Sequence, residues 1–218
     1  MDPSIQGFGD NISVNVGQTI NFKIDTNATS YHLDIYRMGY YQGNGARLIT
    51  TIQPSVTLPQ TQPNCLTNSS LGLYDCGNWA VSASWTVPTT AVSGIYFARV
   101  TRNDTGGASH IVFIVRNDAS KSAIFFQASD TSWQAYNDFG GQNLYGCGGY
   151  DLSCRAYKVS YNRPFHTRDF GVESVTWVFG NEYPMIRWLE ANGYDVSYTT
   201  NTDTDRNGNL ILNHKLWM

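Results

Sequence analysis

The sequence is poor in charged residues and has neither a basic cluster nor a long apolar run. Only 14% of its 218 residues are charged, and the formal net charge is −3. Proteins that bind nucleic acid neutralise phosphates with a stripe of Lys and Arg, so this pattern argues against that partner. No apolar run approaches the roughly 20 residues of a membrane-spanning helix. The sequence therefore predicts neither a nucleic-acid partner nor a membrane span.

Signals for export and for the common hydrolases are missing too. Met1, Asp2 and Pro3 lead directly into sequence with strand periodicity, which we interpret as an initiator Met on a trimmed chain. There is no G-x-S-x-G elbow and no H-E-x-x-H pair, so a serine hydrolase or a zinc protease has little support. Metal-ligand spacing is also absent from the four histidines, His32, His110, His166 and His214.

Cysteine is scarce, and its four residues form two local pairs, Cys65 with Cys76 and Cys147 with Cys154. Neither pair has the two-residue spacing of a zinc site. Three connectivities are open, and the sequence alone does not choose among them. We favour disulfides within the local pairs, formed in an oxidising compartment, over four buried thiols. We therefore expect a secreted or extracellular protein, with weak support from sequons at Asn11, Asn27, Asn68 and Asn103.

The first half of the chain has the alternation of β-strands. Residues 12–24 are predicted to form a hairpin that turns at Gly17-Gln18, and residues 31–35 continue the pattern. Two further strands are predicted over 93–100 and 110–116, and Tyr96 fits a tyrosine corner. Such spacing predicts an immunoglobulin-like or fibronectin-like β-sandwich of about seven strands over residues 1–117.

From residue 118 onward the pattern changes to longer apolar runs and helix signals. The predicted elements are a strand over 123–126, a helix after Ser129, a helix with Ile186 and Leu189 on one face that stops at Asn192-Gly193, and strands over 195–198 and 210–218. Residues 203–208 begin like a calcium loop, but His214 replaces the required Glu, so a polar turn is expected there. The fold class is therefore α+β with two domains, the second (118–218) being part of a flavodoxin-like or amidotransferase-like α/β layer.

Polar and aromatic side chains follow the strand over 123–126. In open α/β sheets, ligands bind outside the carboxyl ends of the strands, which makes Asp130, Trp133, Tyr136 and Asn137 candidates for a site. The alternative is structural: Asp130 or Thr131 caps the helix, while Trp133 and Tyr136 form its core-facing stripe.

The aromatic, glycine-rich segment over residues 38–45 has two interpretations as well. Its tyrosines could bind a ligand, or they could pack under a neighbouring domain. We favour the domain interface.

Five segments resemble the N,N-dimethylformamidase large-subunit family. SDTSWQAYNDFGG (129–141), RAYKVSYNRPF (155–165) and EYPMIRWLEANGYDVSYTT (182–200) resemble the start of its catalytic domain. IYRMGYYQGNGAR (35–47) and DCGNWAVSASWTVP (75–88) resemble its N-terminal β-sandwich. The resemblance covers nearly the whole chain and implies an amidohydrolase-like site in which one iron is held by two tyrosinates and a glutamate.

Carried onto this sequence, the resemblance implies that Tyr136 and Tyr161 are the iron-binding tyrosines. Phenolate is a hard anionic donor that suits ferric iron, which would act as a Lewis acid on an amide. Because the pKa of tyrosine is ordinarily near 10, a cation must displace each proton. His166, which follows YNRPF, is the candidate catalytic residue by its position, and the alternative, which we favour, is a structural histidine with satisfied hydrogen bonds. The candidate substrate-binding residues are Asp130, Trp133, Asn137, Asn162 and Arg163.

The chain departs from the family at one point. In the family, a Gly-His-Asp-Glu-Tyr-Trp motif after the last strand supplies the glutamate and a catalytic histidine, and residues through Met218 do not contain it. We therefore expect a dimethylformamidase-like amidohydrolase fragment that acts on a small amide, is incomplete in itself, and binds iron weakly or not at all. The alternative is a non-catalytic extracellular module that binds a carbohydrate or protein partner. A homo-oligomer and a missing C-terminal part are both open.

Overall fold

The computed structural model describes residues 1–147, 151–166 and 177–218. Strands outnumber helices among the described elements, so the fold is a β-rich α+β fold. The strands are β1 (Ile5–Gly9), β2 (Ser13–Asn15), β3 (Thr19–Thr26), β4 (Tyr31–Met38), β5 (Ala46–Ile52), β6 (Leu66–Asn68), β7 (Leu73–Asp75), β8 (Ala83–Thr86), β9 (Gly94–Arg102), β10 (Ala108–Arg116), β11 (Ile124–Ala128), β12 (Val196–Thr200) and β13 (Leu216–Trp217). The helices are α1 (Asp130–Tyr136), α2 (Glu182–Ala191) and α3 (Asn201–Arg206). None of the helices in these ranges is long and apolar enough to cross a membrane.

Two sheets in the first half enclose an apolar core. One has the strand order β1-β3-β8, and the other has the order β2-β10-β9-β4-β5. Alternate residues of β3 and β4 are buried, as the period of two predicts, and they pack in one cluster with Trp85 and Phe113. The predicted strands over 31–35, 93–100 and 110–116 are confirmed.

The predicted hairpin over residues 12–24 is wrong. β2 pairs in parallel with β10, so that Ser13 lies opposite Ile114, whereas β3 pairs with β1 and β8 in the other sheet. Gly17, with a φ of +83°, turns the chain from one sheet to the other. Alternation shows which residues are buried, but it fits any partner strand equally well.

The corner before β9 has the hydrogen bond expected of a tyrosine corner. The Tyr96 hydroxyl donates to the carbonyl of Val92 over 2.7 Å. β9 and β10 then form an antiparallel hairpin across the predicted loop, where Gly106 has a φ of +74°. The immunoglobulin-like or fibronectin-like topology itself stays a prediction.

A parallel sheet of order β12-β11-β13 forms the second layer. The predicted strand over 210–218 is mostly wrong, because Gly208–Asn213 is a 3-10 helix and only Leu216–Trp217 is a strand. The polar turn expected over residues 203–208 is instead mostly helical, because α3 extends to Arg206. The Thr200 hydroxyl caps the first turn of α3, where it accepts from the Asp203 amide over 3.0 Å. The flavodoxin-like or amidotransferase-like assignment stays a prediction.

The second layer packs on the outer face of the five-stranded sheet. Ile95 and Ile114 of that sheet share one apolar cluster with Phe126 of β11 and Ile186 of α2. The segment over residues 38–45 also contacts α2, since Arg187 donates to the carbonyl of Gly43 over 3.2 Å. This segment therefore has the packing role that we favoured, while the domain boundary at residues 117–118 stays a prediction.

Candidate functional site

The candidate site lies where two neighbouring parallel strands end. β11 and β12 run side by side in register, with Ala128 opposite Thr200. Helix α1 begins two residues after β11, and α3 begins directly after β12. The side chains that follow both strands therefore meet at one edge of the sheet, as the rule for open α/β sheets predicts.

Asp130 is at the centre of this edge, and its side chain is fully buried. Its Oδ2 accepts hydrogen bonds from the Tyr161 hydroxyl (2.8 Å) and from the Thr202 hydroxyl (3.1 Å). Its Oδ1 accepts from the backbone N–H of Asn201 over 2.5 Å. Burial raises the pKa of Asp130 above its usual range, and these hydrogen bonds act in the opposite direction.

Tyr161 is a half-buried phenol that donates to a carboxylate. Burial, and then the negative charge of Asp130, raise the pKa of the Tyr161 hydroxyl. The phenol therefore keeps its proton at neutral pH unless a cation displaces it.

Tyr136 lies at the opposite end of α1 from Asp130. Tyr136 is six positions after Asp130, which places it about 9 Å farther along the helix axis and on a different face of the helix. The Tyr136 ring stacks on Tyr145, with ring centroids 4.3 Å apart and an angle of 19° between the planes. The two tyrosines implied as iron ligands are thus anchored at opposite ends of the helix.

Trp133 is fully buried and binds a glutamate that sequence reasoning missed. The Trp133 indole N–H donates to Oε1 of Glu182 over 2.9 Å, and the same oxygen accepts from the Ser129 amide over 3.1 Å. Glu182 therefore holds the turn that precedes Asp130. Burial raises the pKa of Glu182. The signal for this role was its place at the start of the 182–200 segment, but nothing there identified Trp133 as its partner.

Asn137 and Arg163 are buried and join the segment 160–166 to the end of α1. The Asn137 amide donates to the carbonyl of Pro164 over 2.9 Å and accepts from the backbone N–H of His166 over 3.0 Å. The Arg163 guanidinium donates to backbone carbonyls, those of Ser160, Phe139, Gln142, Gln134 and Asn137. Burial lowers the pKa of Arg163 to about 10.

The same segment docks on the loop closed by the first disulfide. The carbonyl of Asn162 accepts from the Cys76 amide over 2.6 Å, and the Ser160 hydroxyl donates to Asp75 over 2.6 Å. His166 lies at the segment's end with its side chain 36% exposed, and its Nδ1 is 3.0 Å from Oδ1 of Asp138.

Of the predicted site residues, the structure brings Asp130 and Tyr161 into direct contact and adds Thr202 to them. Phenol and carboxylate oxygens are hard donors of the kind that iron prefers, so the chemistry of this pair fits the metal. In the described part of the chain, one set of three His, Cys, Asp or Glu side chains is close enough to share an ion: Cys147, Asp151 and Cys154.

The sulfurs of that set are already bonded to each other. Disulfides join Cys65 to Cys76 and Cys147 to Cys154, which confirms the local pairing, and no cysteine is free. Two disulfides are consistent with an extracellular protein.

Comparisons with known proteins place the chain in a family. Curated proteins gave no match. Among solved structures, an AA10 lytic polysaccharide monooxygenase (LPMO) from Streptomyces lividans is similar at 19% identity with a TM-score of 0.30, covering 48% of this chain and 58% of that chain. The chain thus spans less than two thirds of the length of that structure.

The family described as "N,N-dimethylformamidase beta subunit-like, C-terminal" matches residues 32–218. The match includes most strands of the three-stranded and five-stranded sheets as well as the whole edge around Asp130. The family takes its name from an amide hydrolase and is associated with iron-dependent enzymes. On this match, the chain belongs to the N,N-dimethylformamidase beta subunit-like family.

Proposed function

We propose that this chain carries part of the active site of a secreted amide hydrolase in which Tyr161 is an iron ligand at the Asp130 edge. Tyr136, at the other end of α1, is the second ligand on the family resemblance, and its ring would have to leave Tyr145 to reach the same iron. The observation that supports the proposal best is the buried Asp130–Tyr161 pair at the carboxyl ends of β11 and β12, in a chain of this family. Bound iron would supply Lewis-acid polarisation of the amide carbonyl. The substrate is a small amide.

The other residues of the edge have positioning roles in this proposal. Thr202 and the Asn201 amide orient the Asp130 carboxylate, which in turn accepts a hydrogen bond from the Tyr161 hydroxyl. Glu182 and Trp133 fix the turn before α1. The Arg163 guanidinium donates hydrogen bonds to the backbone carbonyls at the end of α1. Because these side chains are buried and bonded internally, the substrate would meet the more exposed Asn162 and His166.

His166 is the proposed proton carrier. The two ring nitrogens of an imidazole can accept and donate a proton, and the Asp138 carboxylate fixes the orientation of the ring. It would accept a proton from the attacking water and release it to the leaving amine.

Ferric iron titration of the 218-residue chain tests the proposal. Two phenolates are a small ligand set, so we expect weak binding that becomes visible at millimolar iron as a tyrosinate-to-iron charge-transfer band. Tyr161→Phe should remove most of this band, and Tyr136→Phe should weaken it. Tyr194→Phe, which changes an exposed tyrosine on the surface, should leave it unchanged.

No band at millimolar iron in the 218-residue chain, and none after the chain is extended through the family's Gly-His-Asp-Glu-Tyr-Trp motif, would contradict the metal-assisted hydrolase. A band that survives Tyr161→Phe would move the iron away from this edge, and one that ignores Tyr136→Phe would remove Tyr136 from the ligand set.

The competing function is a non-catalytic extracellular binding module. One observation favours it: a polar cavity between β2 and α3 that the Asp130 cluster does not fill.

A further inference from the structure

A cavity of about 530 Å³ lies between the edge strand β2 and helix α3. This volume is within the range of sites that bind drug-sized ligands. Three of its lining residues are apolar, Ile12, Val14 and Leu210, and the others are polar or charged. Because the lining contains no aromatic ring, the cavity offers no surface on which a sugar ring or a nucleobase could stack.

Three charged residues of the lining, Arg116, Asp118 and Asp203, form ion pairs with one another. Arg116 forms salt bridges with Asp118 (3.0 Å) and Asp203 (2.8 Å), and the Ser13 hydroxyl donates to Asp203 over 2.5 Å. This network joins the sandwich to α3. The charged side chains of the lining are two arginines and two aspartates: Arg116, Arg206, Asp118 and Asp203. The formal charge of the lining is therefore zero, which favours a neutral ligand over an ion.

Ser13 lines the cavity, and its backbone N–H and C=O point away from the neighbouring strand β10. The Ile114 amide donates to the Ile12 carbonyl (2.9 Å), and the Val16 amide donates to the Arg116 carbonyl (3.1 Å). In a parallel ladder, this pattern directs the peptide groups of Ile12 and Val16 toward β10 and those of Ser13 away from it. Within the described ranges, the outward N–H and C=O of Ser13 have no hydrogen-bond partner.

Asn15 makes the contrast clear, because its peptide groups also face away from β10. Its N–H donates to the Gln18 side chain over 2.8 Å, and its C=O accepts from the Gln18 amide over 3.0 Å. The turn therefore closes the strand edge at Asn15 and leaves it open at Ser13.

Further donors surround the mouth of the cavity. Asn11, Arg206 and Asn207 are exposed and line it, and their side chains make no hydrogen bond with the rest of the described chain. Amide and guanidinium groups at such positions suit the carbonyl oxygens of a ligand.

We propose that this cavity binds an extended peptide segment, which adds to β2 as a short strand. One residue of the segment pairs its N–H and C=O with those of Ser13, and its neighbouring carbonyls accept from Asn11 and Arg206. A peptide is neutral along its main chain and presents donors and acceptors alternately, as this lining requires. Binding here needs no metal and does not rest on the proposed hydrolase function.

The cavity also reaches the candidate site. Thr202 lines it and donates to Asp130. A bound peptide would therefore lie beside the Asp130–Tyr161 pair.

Amide chemical-shift titration of the iron-free, full-length chain with N-acetyl-trialanine N-methylamide tests this site. We expect saturable shifts of the Ser13 and Val14 amides below 20 mM peptide. The same peptide methylated at every amide nitrogen lacks the donors and should bind at least tenfold more weakly.

Two substitutions at one position separate backbone pairing from side-chain chemistry. Ser13→Pro removes the outward N–H without removing a bond to β10, which an edge strand tolerates, whereas Ser13→Ala removes only the hydroxyl. With shifts read at Val14 and Asn207, Ser13→Pro should weaken binding at least fivefold relative to Ser13→Ala. Arg206→Gln should weaken it about threefold, and Arg99→Gln, on the exposed face of β9, should not change it.

Absence of a saturable shift at Ser13, equal binding of the methylated peptide, or equal behaviour of the two Ser13 variants would overturn the peptide site. Shifts of the same amides with cellotriose and none with the peptide would replace the peptide by a carbohydrate. The iron titration is independent of these results, so failure of one proposal leaves the other standing.

Discussion

Arg37 and Glu190 lie 153 positions apart in the chain and form a salt bridge in which Nη2 is 2.7 Å from Oε1. Arg37 is on β4 and only 5% exposed, while Glu190 is on α2. The Tyr198 hydroxyl of β12 also donates to Glu190 Oε1 over 3.2 Å. One ion pair thus connects the five-stranded sheet with a helix and a strand of the second layer.

Removing the charge of Glu190 should destabilise the whole chain. In Glu190→Gln the Arg37 guanidinium keeps its bonds to the Ser93 carbonyl but stays buried without a counter-charge. Breaking a buried ion pair from one side costs about 3–5 kcal/mol. Urea unfolding with linear extrapolation measures this loss. Asp104→Asn breaks a second pair, with Arg102, in which the carboxylate side chain is 43% exposed against 18% for Glu190, and it should lower stability less. Equal losses in the two variants would show that exposure of the carboxylate does not decide the cost.

The two disulfides should contribute unequally. Their cysteines are separated by 11 and 7 positions, so the chain-entropy estimate is similar, about 2.8 and 2.5 kcal/mol. Cys76, however, is fully buried against Phe8 and Trp79. Replacing Cys65 and Cys76 by Ala should therefore lower the free energy of unfolding more than replacing Cys147 and Cys154. The reverse order in urea unfolding would mean that burial does not decide the difference.

Local pattern was enough to predict the parts of the fold that depend on local order. Alternation in β3 and β4 identified the buried face, and the apolar run before Ser129 identified β11 and the helix after it. The same run placed Asp130 at a strand end, where the structure has it. The local disulfide pairing that we favoured is the observed one, although the sequence left three connectivities open.

Partner choice and long-range contacts could not be predicted in this way. The pairing of β2 with β10 brings together residues about 100 positions apart, and no local signal distinguishes it from a hairpin. Helix α3 has no apolar stripe that would reveal it in the sequence. It is held by contacts of polar residues, the Thr200 cap and the Asp203–Arg116 ion pair. Glu182 illustrates the same limit, since its role depends on a tryptophan 49 positions away.

Two buried tyrosines give a matched test of the tyrosine corner. Tyr96→Phe removes a hydroxyl that donates to the Val92 carbonyl and should cost about 1 kcal/mol. Tyr31→Phe removes a hydroxyl that lies near Ser82 but has no hydrogen bond within the described ranges, so it should be neutral or stabilising. Thermal unfolding of both variants checks this order. A larger loss from Tyr31→Phe would show that its hydroxyl has a partner.

Glu182 should make stability depend on pH in a way that Gln does not reproduce. Burial raises the folded-state pKa of Glu182 above the ordinary 4.5, so folding favours the protonated form. Its contribution to stability is therefore fully present below about pH 4.5 and is lost as the pH rises through the folded pKa. Glu182→Gln keeps the oxygen that accepts from Trp133 and Ser129 and carries no charge at any pH.

The Gln variant should therefore match the wild type near pH 4 and exceed it at pH 7. In the described chain, Oε2 of Glu182 is buried without a hydrogen-bond partner, so the Gln amide nitrogen that replaces it is unpaired as well, and the change of the difference with pH reports the charge alone. Urea unfolding of both proteins between pH 4 and pH 8 gives the difference directly, and the raised pKa of Asp130 cancels because both proteins contain it. A difference that is constant with pH, or a Gln variant less stable at pH 7, would mean that Glu182 is not held in its neutral form by burial.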